Sequence, residues 1–347
     1  MPYPSQHMLA PGELLNERGE LCEAGYANHL AKRYSRAAIK AGRLRIKEWD
    51  YYCVTGEDAV LALTIADNGY MGLDSVTLID LNLRWQHTQS FMRAFPMGKT
   101  GLPDTSERGD VAVRRKGYEL SFANDGAVRE LCVRVDHFFD GKPLTARVRL
   151  TDAPEHSMVI ATPFAKNPKA FYYNQKINCL RAAGEVAFDG TVHRFTPESA
   201  MAVLDWGRGV WTYKNTWYWS SLSGLVNGEP FGLNLGYGFG DTSAATENML
   251  FYRGQAHKLE HVVFDIPKTA AGGDDFLKPW QITANDGRVT LAFTPLLDRA
   301  ALTSALVIES DQHQIFGYFD GQVLLDDGTE LTLPHLLGFA EKVRNKW

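Results

Sequence analysis

Asx-Gly pairs punctuate this chain, and they constrain its fold more than any other feature. Both residues of such a pair tolerate a positive φ, which makes the pair a preferred connection in tight β-hairpins. The segments between the pairs are rich in β-branched and aromatic residues, and many alternate between apolar and polar side chains. The pattern therefore predicts antiparallel strands joined by short turns. The pairs in question are Asp125-Gly126, Asp140-Gly141, Asp189-Gly190, Asn227-Gly228, Asp286-Gly287, Asp320-Gly321 and Asp327-Gly328.

The spacing of the predicted strands is typical of a barrel or a sandwich. A chain of 347 residues is too long for one ordinary small domain and suits either two domains or one large β-structure. We therefore predict a mainly β protein whose two antiparallel, barrel-like halves carry only a few short helices.

Three segments show helix signals. Residues 26–41 have helix-forming composition and an apolar stripe. Thr196-Pro197-Glu198 supplies an N-cap, a proline at the first helical position and a first-turn acid, and Pro334 opens a last candidate helix. Because the second segment interrupts the β-pattern near mid-chain, we predict a domain boundary around residue 190. The N-terminal domain is then residues 1–190, with a helix at about 26–41, and the C-terminal domain is residues 191–347, ending in a short helix.

Composition excludes several classes of partner. The formal net charge of −5 provides no field that attracts phosphates, so nucleic acid is not expected. Residues 1–7 lack the charged and apolar regions of a signal peptide, and no segment has the length needed to span a bilayer. We therefore expect a cytoplasmic protein without an integral membrane segment. The four cysteines show no paired metal spacing, and we expect neither a metal nor a cofactor; the oligomeric state stays open.

The segment from Asp205 to Trp219 contains four of the eight tryptophans. Two glycines flank Arg208, which predicts a bent backbone with the guanidinium held by Asp205 or stacked on an indole. Two interpretations stay open: an aromatic pocket wall with oriented polar groups, or a structural corner that closes a barrel. The candidate ligand-binding residues of this segment are Trp206, Arg208, Trp211, Trp217 and Trp219, and Asp205 is a candidate acid.

Two other segments match known motifs only weakly, and candidate polar or aromatic groups also lie elsewhere in the chain. Gly236-x-Gly238-x-Gly240 is a weak nucleotide fingerprint, because no helix follows it, and it is better explained by close approach of backbones. His257-Lys-Leu-Glu260-His261 matches an inverted zinc-protease pattern, but on a strand Glu260 faces away from both histidines. The further candidates are Glu247 as a second acid, and Asn234, Asn248, Trp49, Tyr51, Tyr173 and Lys176 as ligand-binding residues.

With these residues in view, the chain resembles the bacterial domain-of-unknown-function family 2804 almost from end to end. More distantly, it resembles two-domain lipocalin-like proteins of the carotenoid-hydratase and tocopherol-cyclase type, in which paired β-barrels flank an apolar pocket. The second resemblance implies that the two halves are lipocalin-like. The segments that carry the family resemblance are 14–21, 47–52, 65–70, Asp205-Trp-Gly-Arg-Gly209 with Trp217 and Trp219, 234–236, 246–248, and Gly338-Phe-Ala-Glu341 with Trp347.

These observations support three hypotheses of different classes. The first is a binding protein that holds a lipid, isoprenoid or similar apolar metabolite in an aromatic pocket. The second is a hydratase, isomerase or cyclase in which a desolvated carboxylic acid, Asp205 or Glu247, protonates the substrate in the same pocket. The third is a structural or interaction protein without a ligand.

Overall fold

The computed structural model describes residues 6–305 and 308–346, and antiparallel strands make up most of it. Trp347, quoted above for the family resemblance, lies outside these residues, as do residues 1–5. Two 3₁₀ turns, Arg36–Ala38 and Arg43–Arg45, precede the long strands. The strands are β1 Gly12–Glu13, β2 Gly25–Ala27, β3 Lys32–Arg33, β4 Ile46–Thr55, β5 Ala59–Asp67, β6 Met71–Asp80, β7 Trp85–Ala94, β8 Val111–Arg115, β9 Tyr118–Asn124, β10 Arg129–Phe139, β11 Lys142–Thr151, β12 Met158–Phe164, β13 Asn167–Phe188, β14 Thr191–Phe195, β15 Met201–Val210, β16 Lys214–Val226, β17 Glu229–Tyr237, β18 Met249–Tyr252, β19 Gln255–Lys258, β20 Val262–Asp265, β21 Trp280–Ala284, β22 Val289–Ala305, β23 Ile308–Leu324 and β24 Glu330–Lys346.

The first large sheet has the strand order β7-β6-β5-β4-β15-β13-β11-β10-β9-β8, and it is extended by β12, β14 and β2. It curls until side chains from its two ends meet. The ring of Phe91 on β7 stacks on that of Tyr118 on β9 with 3.7 Å between centroids, and Trp85 meets Phe139 at 5.5 Å. The curl encloses the largest apolar core of the chain.

The second large sheet has the order β19-β18-β17-β16-β24-β23-β22-β21-β20 and encloses a core of its own. The chain passes from one sheet to the other between Val210 and Lys214. The predicted boundary near residue 190 therefore falls within the first sheet, which continues through β14 and β15. The prediction of a mainly β chain with two antiparallel barrel-like halves is confirmed: each half is a curled half-barrel.

A third apolar cluster joins the two half-barrels, and we call it the inter-sheet core. Val60, Ile79 and Val203 come from the first sheet, and they are buried with Phe316 and Phe339 of the second. The inter-sheet core lies next to a polar site at the junction of the half-barrels, and Tyr51 and Trp219 belong to both.

The predicted Asx-Gly turns form at every pair but one. Asp140-Gly141, Asp189-Gly190 and Asn227-Gly228 are two-residue hairpin connections in which both residues have positive φ. Asp320-Gly321 instead lies inside β23, where the register shifts. A Cβ on Gly321 would overlap the carbonyl oxygen of Thr290, so this glycine permits a close approach of two strands.

The three helix predictions are wrong. Residues 26–41 contain β3 and one 3₁₀ turn rather than an α-helix, and the segment from Pro334 continues as strand β24. Thr196 begins a single turn, closed by the bond from the Ala200 N–H to the Thr196 carbonyl, before β15 starts at Met201. Pairing with neighbouring strands outweighs local helix propensity in each case. None of the helical segments in the described residues has the length and hydropathy needed to cross a membrane.

Candidate functional site

Strand β15 presents two different faces because its side chains alternate. Trp206 and Arg208 point into the core of the first half-barrel, whereas Asp205, Gly207 and Gly209 lie on the face turned toward the second sheet. The glycines are required there: a Cβ on Gly207 would overlap the ring of Trp49, and a Cβ on Gly209 would overlap the carbonyl oxygen of Phe171 and crowd the ring of Trp211. The glycines therefore leave room for large side chains between the sheets.

Arg208 is a buried structural clamp on the first face. Its guanidinium donates hydrogen bonds to the carbonyl oxygens of Trp49, Gly207 and Pro103 at 2.7–2.9 Å and pairs with Asp50 at 3.0 Å. It also lies 4.3 Å from the ring of Trp206. Three predicted ligand-binding residues, Trp206, Arg208 and Tyr173, are thus held in the core of the first half-barrel, on the opposite side of β15 from Asp205.

On the second face, three carboxyl groups share one lysine, and we call Asp205, Glu247, Glu341 and Lys176 the acid cluster. All four residues are buried. Lys176 Nζ lies 3.1 Å from Asp205 Oδ1 and 3.6 Å from the centroid of the Trp219 ring. The two sheets contribute jointly, since Asp205 and Lys176 are on β15 and β13 while Glu341 is on β24.

Side-chain amides hold the acids in place. Asn174 Nδ2 donates to Asp205 Oδ1 at 2.6 Å. Asn234 Nδ2 donates to the backbone carbonyl of Glu247 at 2.8 Å, and its Oδ1 accepts from Trp219 Nε1 at 2.7 Å. Asn248 Oδ1 accepts from the Gly236 N–H at 2.7 Å. Two predicted ligand-binding residues, Asn234 and Asn248, thus position the segment that carries Glu247.

Glu341 is the member of the cluster that sequence reasoning missed. Its Oε1 accepts from Trp217 Nε1 at 2.9 Å, and its Oε2 accepts from Gln314 Nε2 at 3.0 Å. Gln314 is fixed in turn by Arg299, whose Nη1 donates to Gln314 Oε1 at 2.8 Å. Period-two alternation of Phe339, Glu341 and Val343 was the available signal, but it was obscured by the helix prediction for this segment.

Burial dominates the electrostatics of the site. It raises the pKa of Glu341 to about 7, with a further rise from the charge of Asp205, against the lowering effects of the Trp217 hydrogen bond and Lys176. Burial also raises the pKa of Glu247, which Lys176 counteracts. Full ionisation would leave three buried carboxylates around Lys176, with smaller contributions from Lys258 to Glu247 and from Arg299 to Glu341, an arrangement with a large desolvation cost. The cluster therefore holds a proton on a carboxyl group near neutral pH.

A set of five aromatic rings borders the acid cluster, and we call it the aromatic wall. Trp211 meets Trp49, Trp217 and Phe239 with centroids 4.8–5.8 Å apart. Tyr172 stacks on Trp49 at 6.1 Å and contacts Phe239 at 4.8 Å. Trp49 and Trp217 are half-buried, so the wall reaches the protein surface. The members are Trp49, Tyr172, Trp211, Trp217 and Phe239.

The wall and the acid cluster form one site at the junction of the half-barrels. The structure brings together here ten of the candidate residues from the sequence: Asp205, Glu247, Lys176, Trp49, Tyr51, Trp211, Trp217, Trp219, Asn234 and Asn248. Glu341, Asn174, Tyr172 and Phe239 also belong to the site and were not among the candidate site residues from the sequence. The aromatic wall therefore lies beside the carboxyl groups of the acid cluster. Apolar rings next to such groups are suited to acid–base chemistry on an apolar molecule.

Comparison with known proteins adds a family and a fold. Residues 5–347 match the model of the family described as Domain of unknown function (DUF2804). The search of curated proteins found no match. Among solved structures, a provisionally assigned AttH protein of Nitrosomonas europaea is similar, with a TM-score of 0.54 and 13% identity over 90% of this chain and 97% of that one. Kievitone hydratase of Nectria haematococca has a TM-score of 0.47 and 10% identity, over 92% and 97%.

Proposed function

The chain belongs to the DUF2804 family, a family of unknown function, and we propose that it is an acid–base enzyme acting on an apolar, unsaturated small molecule between its two half-barrels. The observation that carries the proposal is the acid cluster itself, with three buried carboxyl groups and one lysine beside an aromatic wall. A carboxyl group that keeps its proton near neutral pH is suited to general acid catalysis. Lipids, isoprenoids and similar metabolites have the apolar bodies that the wall suits.

Glu341 is the proposed acid. Its hydrogen bonds from Trp217 and Gln314 fix the carboxyl group, and its proton is transferred to one carbon of a double bond. The neighbouring carbon, now electron-poor, is attacked by water, loses a proton, or is attacked by a second double bond, which gives hydration, isomerisation or cyclisation. Asp205, whose Oδ1 lies 3.1 Å from Lys176 Nζ, accepts the proton released.

The second candidate is a binding protein that uses the same site without turnover. The aromatic wall favours it, because rings from both half-barrels converge there independently of the acids. The two candidates differ in which side chains they need. Binding alone requires Trp217 and Trp219 and tolerates the neutral replacements Asp205→Asn and Glu247→Gln, whereas catalysis requires the carboxyl groups.

Isotope incorporation tests the enzyme. Apolar cell extracts are incubated with the protein in D₂O containing H₂¹⁸O, and mass spectrometry follows products after return to ordinary water. Carbon protonation leaves one deuterium that does not exchange, and hydration adds ¹⁸O as well. We expect Glu341→Gln to reduce deuterium incorporation at least a hundredfold, in line with the loss of a general acid.

Glu185→Gln is the matched control, since Glu185 lies on the exposed part of β13. It should behave like the unchanged protein. Deuterium incorporation that survives Glu341→Gln, Asp205→Asn and Glu247→Gln separately would contradict the catalytic proposal. An unreactive protein that retains a lipid on purification, and loses it with Trp217→Ala, would support the binding candidate instead.

A further inference from the structure

The carbonyl oxygen of Asn174 is a buried acceptor without a donor. Asn174 is fully buried on the face of β13 that carries Lys176 and Tyr172. Its Nδ2 donates to Asp205 Oδ1 at 2.6 Å and to the backbone carbonyl of Trp206 at 2.9 Å. Both partners are acceptors, so the orientation of the amide is fixed and Oδ1 must point away from them. Among the described residues, no group donates to this oxygen.

Asp205, the hydrogen-bond partner of Asn174, has an unpaired oxygen of its own among the described residues. Asp205 Oδ1 accepts from Asn174 and lies 3.1 Å from Lys176 Nζ, while its Oδ2 takes part in none of the hydrogen bonds found within residues 6–305 and 308–346. The indole N–H groups beside the acids are engaged elsewhere, since Trp217 bonds Glu341 and Trp219 bonds Asn234. Leaving a buried acceptor unpaired costs about 1–3 kcal/mol. The polar group that completes this site is therefore a hydrogen-bond donor.

We infer that the molecule bound here carries a neutral hydroxyl group on an apolar body, and that this hydroxyl donates to Asn174 Oδ1 next to Asp205. The inference rests on the proposed function and narrows its substrate class to apolar alcohols or phenols. Asn174 is accordingly a specificity-determining residue.

Charge excludes the other common head groups. A carboxylate or phosphate would bring a further negative charge to three buried carboxyl groups that share one lysine. An ammonium group would be a donor, but Lys176 already occupies the position beside Asp205 and over the Trp219 ring. A second cation there would repel the first. A neutral hydroxyl supplies the missing donor without either cost.

Four probes with one aromatic body separate these head groups: naphthalenemethanol, naphthoic acid, naphthylmethylamine and methylnaphthalene, all substituted at the same ring position. Their dissociation constants are measured with the full chain at pH 7.5 by quenching of tryptophan fluorescence. We expect the alcohol to bind about tenfold more tightly than the hydrocarbon, as one net hydrogen bond to a buried acceptor allows. The acid and the amine should bind more weakly than the alcohol by at least tenfold.

Asn174→Leu removes the acceptor and should bring the affinity for the alcohol down to that for the hydrocarbon. Asn124→Leu is the matched control, because Asn124 is a buried asparagine that bonds Ser106 within the first half-barrel. It should leave the ranking unchanged. The order of the four dissociation constants in the unchanged protein tests the inference even if Asn174→Leu does not fold.

Equal affinity for alcohol and hydrocarbon, or a preference for the acid or the amine, would overturn the inference and leave the proposed function standing. A tenfold preference that survives in correctly folded Asn174→Leu would also overturn it. Failure of all four probes to bind would count against the proposed apolar site and the inference together.

Discussion

Glu341 couples the stability of the protein to pH, because its carboxyl group is buried where water cannot solvate the charged form. Its pKa of about 7 lies above the ordinary value of 4.5, and the cause is burial. The folded state therefore binds this proton more tightly than the unfolded chain does. The resulting stabilisation is fully present below pH 4.5 and is lost as the pH rises toward and through 7.

The variant Glu341→Gln tests this coupling between pH and stability. Glutamine keeps the shape of the side chain and cannot ionise, so the variant should lack this part of the pH dependence. Between pH 5 and 8 we expect the free energy of unfolding of the unchanged protein to fall by about 2–3 kcal/mol more than that of the variant. Urea denaturation at several pH values measures the difference. Parallel curves for the two proteins would show that Glu341 ionises freely in the folded state.

The other acids of the cluster illustrate what single residues reveal in a sequence. Asp205 and Glu247 were chosen because each lies in a segment rich in glycine and aromatic residues, and such composition indicates a crowded or bent backbone. Glu341 lies in Phe339-Ala-Glu-Lys-Val343, whose composition suits an exposed helix equally well. Only pairing with β16 and β23 turns this glutamate toward the first sheet.

At the scale of elements, β15 combines two tasks in ten residues. Its even-numbered side chains build the first core, and its odd-numbered positions face the second sheet with Val203 in the inter-sheet core, the acid Asp205, and two glycines. The alternation was predictable from the sequence only once the segment was known to be a strand. The two glycines beside Arg208 predict a bent backbone instead, and a bend gives no reason to separate Trp206 and Arg208 from Asp205.

Gly207→Ala tests this division of labour in β15. The added methyl group would overlap the ring of Trp49, so either the ring or the strand must move. We expect a loss of about 1–3 kcal/mol in the free energy of unfolding, as for overpacking of a core, together with a changed tryptophan emission spectrum.

Gly42→Ala is the matched control for that experiment, since a Cβ there meets no atom within 4 Å and the residue has an ordinary φ of −59°. It should leave both stability and emission nearly unchanged. If Gly207→Ala were equally silent, Trp49 would have to move without cost, and the glycine would not be reserved for the ring.

Strand identity was predictable where turns and alternation agreed, and it failed where local propensity was the only signal. Asp140-Gly141 and Asn227-Gly228 fix both a turn and the two strands beside it. Residues 26–41 and the segment after Pro334 show helix-forming composition, yet they pair as strands or form 3₁₀ turns. Contacts with distant strands decide their structure, and those contacts leave no short pattern in the sequence.

At the scale of the whole molecule, the site exists only because two half-barrels meet. Lys176 and Asp205 lie in the first sheet, Glu341 lies in the second, and 165 positions of sequence separate Lys176 from Glu341. Spacing of that kind cannot be inferred from a single chain. The chain length and the spacing of turns and strands predict two β-halves, while the pairing of their acids depends on how the sheets pack.

The inter-sheet core should make the two half-barrels unfold together. Phe339 is buried there, with its ring 4.8 Å from that of Trp219 and 5.6 Å from that of Phe316. Tyr51 and Val203 of the first sheet belong to the same cluster. Because both sheets lose apolar contacts when they separate, we expect tryptophan fluorescence and far-ultraviolet circular dichroism to follow one urea transition.

Phe339→Ala should weaken that coupling. Truncation of a buried phenylalanine costs about 3–5 kcal/mol, and here the cavity lies between the sheets, so the two spectroscopic transitions should shift to lower urea and separate. Phe264→Ala is the matched control, since Phe264 is buried within the core of the second half-barrel alone. Phe264→Ala should lower the free energy of unfolding by a similar amount. The second sheet should then unfold at the same urea concentration as the first, or at a lower one. Two transitions already present in the unchanged protein would contradict this prediction. They would mean that each half-barrel is stable on its own and that the inter-sheet core does not couple their unfolding.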